Sequence, residues 1–192
     1  MKSRAQILEA IAANKPAGIP LPILDFSQID QPADLLEKFT ASLKGVGGQV
    51  MLVNGDIELQ QLLRNDKSSG KFIINQVDAG GEVDIVPANP ATLESVFRAY
   101  IKGDFGVAEN GAICVLESAM GNRVLPFICE QLVLVLYKNE LLANMHEAYA
   151  AIQINREGYG VFIAGPSKTA DIEQSLVIGA HGPKALSVLI IM

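Results

Sequence analysis

Short apolar runs alternate with amphipathic stretches along this chain, and that alternation confines it to an α/β architecture. The runs at 49–53, 71–75, 83–86, 105–108, 112–116, 132–137, 160–164 and 185–191 read as strands. Between them, 32–44, 57–65, 91–100 and 140–153 read as helices. Pro32 opens the first of these, with Leu35, Leu36, Phe39 and Leu43 on one face. Asp56 is placed to cap the second, and Asn89-Pro90 is a start signal for the third. Gly45, Gly47 and Gly48 follow the first helix and precede a strand, so they read as a helix end and a turn. Helices spaced between β-branched runs predict an α/β three-layer sandwich with a mostly parallel sheet. Ahead of this lies a helix over 4–14, with a Ser3/Gln6 capping box and an Ile7, Leu8 and Ile11 stripe. Residues 15–22 hold three prolines and read as a connector. The expected organisation is therefore an N-terminal helix and connector over 1–22 and one α/β domain over 23–192.

Composition narrows the function. Of the 192 residues 49% are hydrophobic, enough for a sizeable core. No run reaches the length of a membrane span, and the N-terminus lacks the apolar centre of a signal peptide. The expectation is a cytoplasmic protein. The net charge is −6 and no lysine- or arginine-rich stripe occurs, which argues against a nucleic-acid partner. Cys114 and Cys129 sit in apolar stretches and read as buried small hydrophobes. Two isolated cysteines and two isolated histidines supply neither an iron–sulfur nor a zinc ligand set, so no cofactor is expected.

Polar chemistry concentrates near the end of the chain. Gly165-Pro166-Ser167-Lys168-Thr169-Ala170-Asp171-Ile172-Glu173 follows one apolar run, and Gly179-Ala180-His181-Gly182-Pro183 precedes the next. A strand leading through Gly-Pro-Ser-x-Thr into a helix at Ala-Asp-Ile-Glu aims free backbone N–H groups at an anion. Gly165, Pro166, Ser167, Lys168, Thr169 and Asp171 are the candidate ligand-binding residues. The plainer alternative makes Thr169 a helix cap, with Asp171 and Glu173 favouring the helix dipole. The segment is not a Walker loop, because Gly-x-x-x-x-Gly-Lys-Ser/Thr is absent. His181, in a glycine-rich turn, suits acid–base work or carboxylate binding; a turn histidine bonded to backbone is the alternative. His146 reads as a solvated or half-buried side chain. Glu109-Asn110-Gly111 separates two apolar runs and is a type I′ hairpin signal. Arg123 can clamp a carboxylate in a fork, or be an ordinary loop arginine.

The composite of residues 165–191 resembles the C-terminal signature of the LUD-domain family, whose best-known members serve lactate utilisation. Among these the chain is most similar to the short C type. The likeness is strong over 165–191 and weaker over 105–136. It implies a fold similar to the ribose-phosphate isomerase and CoA-transferase superfamily. It implies a part in the oxidation of L-lactate to pyruvate beside iron–sulfur partner subunits, with a small carboxylate or phosphate as ligand. Ala-Glu-x-Gly recurs in the family with threonine at the third position, so Asn110 is a departure. An Asn-Arg before Leu-Pro, here Asn122-Arg123, is also familiar. Glu-Asn-Gly resembles the segment that carries the glutamate of CoA transferases. The second reading is thus a stand-alone CoA-transferase-like or sugar-phosphate isomerase-like enzyme, with Glu109 as nucleophile or base and His181 catalytic. A third is a pure interaction module. On either enzyme or binding reading, Ser167, Thr169, His181 and Glu109 are expected to meet at the carboxyl edge of the parallel sheet.

Overall fold

An uninterrupted run of valine and leucine is best buried when both faces of a sheet are covered. Strand β6 (Gln131–Tyr137) meets that condition, with five consecutive residues buried. The computed structural model describes residues 2–16, 18–20, 22, 32–152, 157–170 and 176–192. In it β6 is the central strand of five. Strands β11 (Ala185–Ile191) and β3 (Arg98–Lys102) flank it, with β1 (Gln49–Val53) outside β11 and β2 (Ile73–Gln76) outside β3. All four pairings are parallel. The molecule is α/β with a mostly parallel central sheet, as its alternating pattern predicts.

The period of two along each strand sends neighbouring side chains to opposite faces. Val133 and Val135 join Leu189, Tyr100 and the apolar side of helix α3 (Gly55–Lys67), chiefly Leu59 and Leu63. Leu132, Leu134 and Leu136 face a larger cluster containing Phe39 and Leu43 of helix α2 (Leu35–Gly45). Ile113 and Val115 enter the same cluster from a second, four-stranded sheet. That sheet runs in the order β7 (Leu141–Leu142), β4 (Phe105–Val107), β5 (Ala112–Leu116), β8 (Gly160–Ile163). Helix α6 (Met145–Ala151) packs Ala148 against Phe105, Val107 and Cys114 of this sheet. Short helices α4 (Glu117–Met120) and α5 (Leu125–Ile128) and a two-stranded ribbon, β9 (Lys168–Ala170) with β10 (Leu176–Ile178), complete this part.

The chain divides into two units, Met1–Asp30 and Gln31–Met192. The first contains helix α1 (Lys2–Ala13), whose Ile7, Leu8 and Ile11 are exposed. Everything above belongs to the second.

Four expectations are corrected. The helix expected over 91–100 is a single 3-10 turn, Pro90–Leu93, after which the chain enters β3. Asn89 does accept from the Ala91 amide, so the start signal is genuine; the buried sheet then claims Ala99–Ile101. No strand forms at 83–86, where Ile85 is 97% exposed and has no sheet face to fill. The cap of α3 is Asn54, with Asp56 inside the first turn. Helix α6 covers only Met145–Ala151 of the expected 140–153, its first residues being taken by a 3-10 turn and β7.

Candidate functional site

Gly165 follows β8 with a positive φ of 76°, and a Cβ there would lie 2.5 Å from the Val46 carbonyl oxygen. Only glycine lets the backbone pass so close. Three residues later the Lys168 ammonium donates to the same oxygen at 2.6 Å. Val46 is the C-cap of α2, so Lys168 satisfies a carbonyl at the negative end of a helix. The Ser167 amide donates to the Pro183 carbonyl at 2.9 Å, and the Gly179 amide to the Ser167 carbonyl at 3.0 Å. A Cβ on Gly182 would sit 3.0 Å from the Ser167 Cβ. The two clusters legible in the sequence, 165–168 and 179–184, are therefore one pair of loops in contact. Gly165 and Pro183 are buried, and Lys168 and His181 are exposed.

Placement departs from expectation in two ways. Lys168–Ala170 is strand β9, with Thr169 opposite Val177, so Thr169 does not cap a helix. The helix expected at Asp171–Glu173, and Asp171 itself, lie outside the described residues. The loop pair also stands at the amino edge of the central sheet, not the carboxyl edge. The Lys184 amide donates to the Glu130 carbonyl at 2.8 Å, just before β11 and β6 begin.

Glu109 is exposed in the turn after β4, and its carboxylate accepts from the Met145 amide at 2.9 Å, at the amino end of α6. That partner is backbone, not a side chain. Gly111 adopts φ +72°, and a Cβ there would meet the Leu43 amide nitrogen at 2.6 Å. The Ser42 hydroxyl donates to the Ala108 carbonyl at 2.8 Å. Glu109–Gly111 and Gly165–Lys168 thus hold the same stretch of chain, Ser42–Val46, from two sides. Arg123 forms its fork within the chain: Nε and Nη2 donate to the two Glu117 oxygens at 2.7 Å each, with the guanidinium 5.1 Å from the Tyr159 ring centre. The Arg123 bonds hold the Glu117 carboxyl below its usual range. Burial pushes the Cys114 thiol up to about 11 and the Cys129 thiol up to about 12.

A polar cluster without a sequence motif lies on the α3 face. Arg98 donates through Nη1 to Asp66 Oδ2 and through Nε and Nη2 to Gln131 Oε1. The Tyr100 hydroxyl donates to the same Asp66 oxygen at 2.7 Å. Burial, then the Asp66 bond, raises the Tyr100 hydroxyl to about 12. The only sequence signal is the i, i+2 spacing of Arg98 and Tyr100, which puts both on one strand face. Among the described residues no group of three or more His, Cys, Asp or Glu side chains is gathered to hold a metal. No described helix is long and apolar enough to cross a membrane.

A family model described as the LUD domain matches residues 96–191. The chain is similar to Lactate utilization protein C of Geobacillus sp. (strain WCH70), 29% identical over 140 residues, covering 69% of this chain and 56% of that one. It is 26% identical over 178 residues to Lactate utilization protein C of Geobacillus kaustophilus, covering 82% of this chain and 72% of that one. It therefore spans little more than half the length of the first relative. A crystal structure of a DUF162 family protein from Deinococcus radiodurans superposes with a TM-score of 0.63, covering 82% of this chain and 96% of that one at 19% identity. That likeness is one of fold.

Proposed function

Because this chain belongs to the LUD domain family, we propose that it serves L-lactate utilisation, supporting oxidation to pyruvate as a non-redox member of an assembly with iron–sulfur subunits. What supports the reading is the length over which the chain follows the lactate utilization proteins C. The division of labour follows from the thiols. Cys114 and Cys129 are both buried with raised pKa values, which disfavours the thiolate that an iron–sulfur centre requires. The two electrons leaving lactate are then accepted by partner subunits. The small carboxylate or phosphate ligand is assigned to the loop pair. There Lys168 spends one hydrogen bond on Val46 and carries three donors, and His181 is exposed in the adjoining loop.

The test is genetic and biochemical. Deleting the gene should abolish growth on L-lactate as sole carbon source, and the intact gene should restore it. Tagged protein should carry iron–sulfur proteins through purification. Normal growth of the deletion strain on lactate would sink the assignment.

A further inference from the structure

Helix α3 covers only part of its sheet face. The apolar cluster beneath it draws on Val53, Val135 and Ile191, toward the carboxyl ends of the strands. Nearer the amino ends a cavity of about 320 Å³ stays open. Its floor comes from adjacent strands: Arg98 from β3, Gln131 from β6 and Ser187 from β11, with α3 supplying Asn65 and Asp66 as a wall. A cavity of this size with convergent polar groups falls within the range of small-molecule sites.

Hydrogen-bond accounting gives the polarity that a ligand must have. Gln131 spends its carbonyl on Arg98, so its amide N–H groups are the donors left. Asn65 spends its carbonyl on Gln61, with the same result. Arg98 uses three of its five N–H groups on Gln131 and Asp66. Asp66 Oδ2 takes bonds from both Arg98 and Tyr100, whereas Oδ1 accepts from none of the described side chains. No described side-chain nitrogen or oxygen is buried without a partner, so the unbonded Gln131 amide nitrogen and Asp66 Oδ1 are solvent-accessible, on residues that line the cavity. Met51, Leu62 and Leu189 complete the lining with apolar surface. The cavity therefore offers several donors around a guanidinium, one carboxylate acceptor beside them, and an apolar wall.

We propose that this cavity binds a small 2-hydroxycarboxylate, with its carboxylate on Arg98, Gln131 and Ser187, its hydroxyl donating to Asp66, and its alkyl group on Met51, Leu62 and Leu189. The place of the site rests on the cavity, and the choice of a hydroxy acid rests on the lactate reading above. L-lactate belongs to the ligand class and fills only part of the space, so longer hydroxy acids fit better.

The test is calorimetric titration of the full chain with L-lactate, pyruvate, 2-hydroxybutyrate and 2-hydroxyisocaproate. Saturable binding that the cavity-filling variants remove is expected. L-lactate should bind about tenfold more tightly than pyruvate, which lacks the hydroxyl donor. Each added methylene should tighten binding by about fourfold. Ser187→Leu fills the cavity without touching the Arg98–Asp66 pair and should abolish binding. Asn65→Leu, which narrows the cavity from the α3 side, serves the same end should Ser187→Leu unfold. Arg98→Lys should weaken binding at least tenfold, and Lys38→Ala, on the exposed side of α2 and outside the cavity, should leave it unchanged. Absence of saturable binding in the millimolar range, equal affinity for lactate and pyruvate, or undiminished binding by the folded cavity-filling variant would each overturn the proposal. Normal growth of the deletion strain on lactate counts against the functional assignment and not against this site.

Discussion

Gly55 and Gly111 share a left-handed backbone, with φ of 77° and 72°, and differ in what surrounds them. A Cβ at Gly55 meets nothing within 4 Å, whereas one at Gly111 runs into the Leu43 backbone. Gly55→Ala should therefore cost only the left-handed strain, about 1 kcal/mol. Gly111→Ala adds a clash that neither backbone can avoid, and should cost ~3 kcal/mol or more. Thermal melts of the two variants check this, at about 2–4 °C per kcal/mol for a domain of this size. Titration gives a second expectation at this scale. Cys129 rises from 9.0 to about 12 and Tyr100 from 10.0 to about 12 in the folded chain. Both are neutral when protonated, so the folded state holds these protons more tightly than the unfolded one. Their contribution is fully present below pH 9 and is lost as the pH climbs from 9 toward 12. Denaturant midpoints should accordingly be flat with respect to these groups from pH 7 to 9 and fall above it. A stability that rises between pH 9 and 11 would contradict the burial of both groups.

Helix α2 is fastened at both ends by side chains, and each end can be released separately. Asp34 accepts from the Leu36 and Glu37 amides at 2.8 and 3.1 Å, so Asp34→Ala should cost about 1 kcal/mol in denaturant melts. Lys168→Ala removes the bond to the Val46 carbonyl and should cost roughly 0.5–1 kcal/mol, although Lys168 is 122 residues away in sequence. Thr169→Ala, with no helix to cap, should cost less than either. These contrasts show how much of the fold could be read in advance. The strands Ala112–Leu116 and Ala185–Ile191 fall where their apolar runs predict, because two-sided burial needs an unbroken run. Gln49–Val53 also falls where predicted although, at the sheet edge, it leaves Met51 and Leu52 exposed. The segment Lys168–Ala170 carries helix-start residues and becomes a strand, because its partner Leu176–Ile178 is a tertiary neighbour. Of the candidate site, the contact between 165–168 and 179–184 was foreshadowed by their crowded polar residues. The link from 165–168 to Val46 was not, since it depends on where a helix end is parked. The Arg98, Asp66 and Gln131 cluster is assembled from three elements and leaves almost no local pattern.

At the scale of the molecule, the three apolar clusters are, among the described residues, built entirely from residues after Gln31. A chain lacking residues 1–30 should therefore still unfold in a single cooperative transition, with the denaturant slope of a complete domain. A broad or probe-dependent transition would show that the first unit takes part in the core. The sheet order has a further consequence, which concerns synthesis. Strand β11 lies between β1 and β6, pairing Gln49 with Ser187 and Leu132 with Leu186. Its place in the middle of the sheet is filled by a segment translated after all the other strands of that sheet. At typical translation rates β1 waits of order ten seconds for its partner. Throughout that interval the facing edges of β1 and β6 expose unpaired backbone and apolar side chains, the surfaces that invite mispairing. A nascent chain stalled before Ala185 should accordingly be a preferred client of holdase chaperones, and one stalled well beyond Met192 should be released.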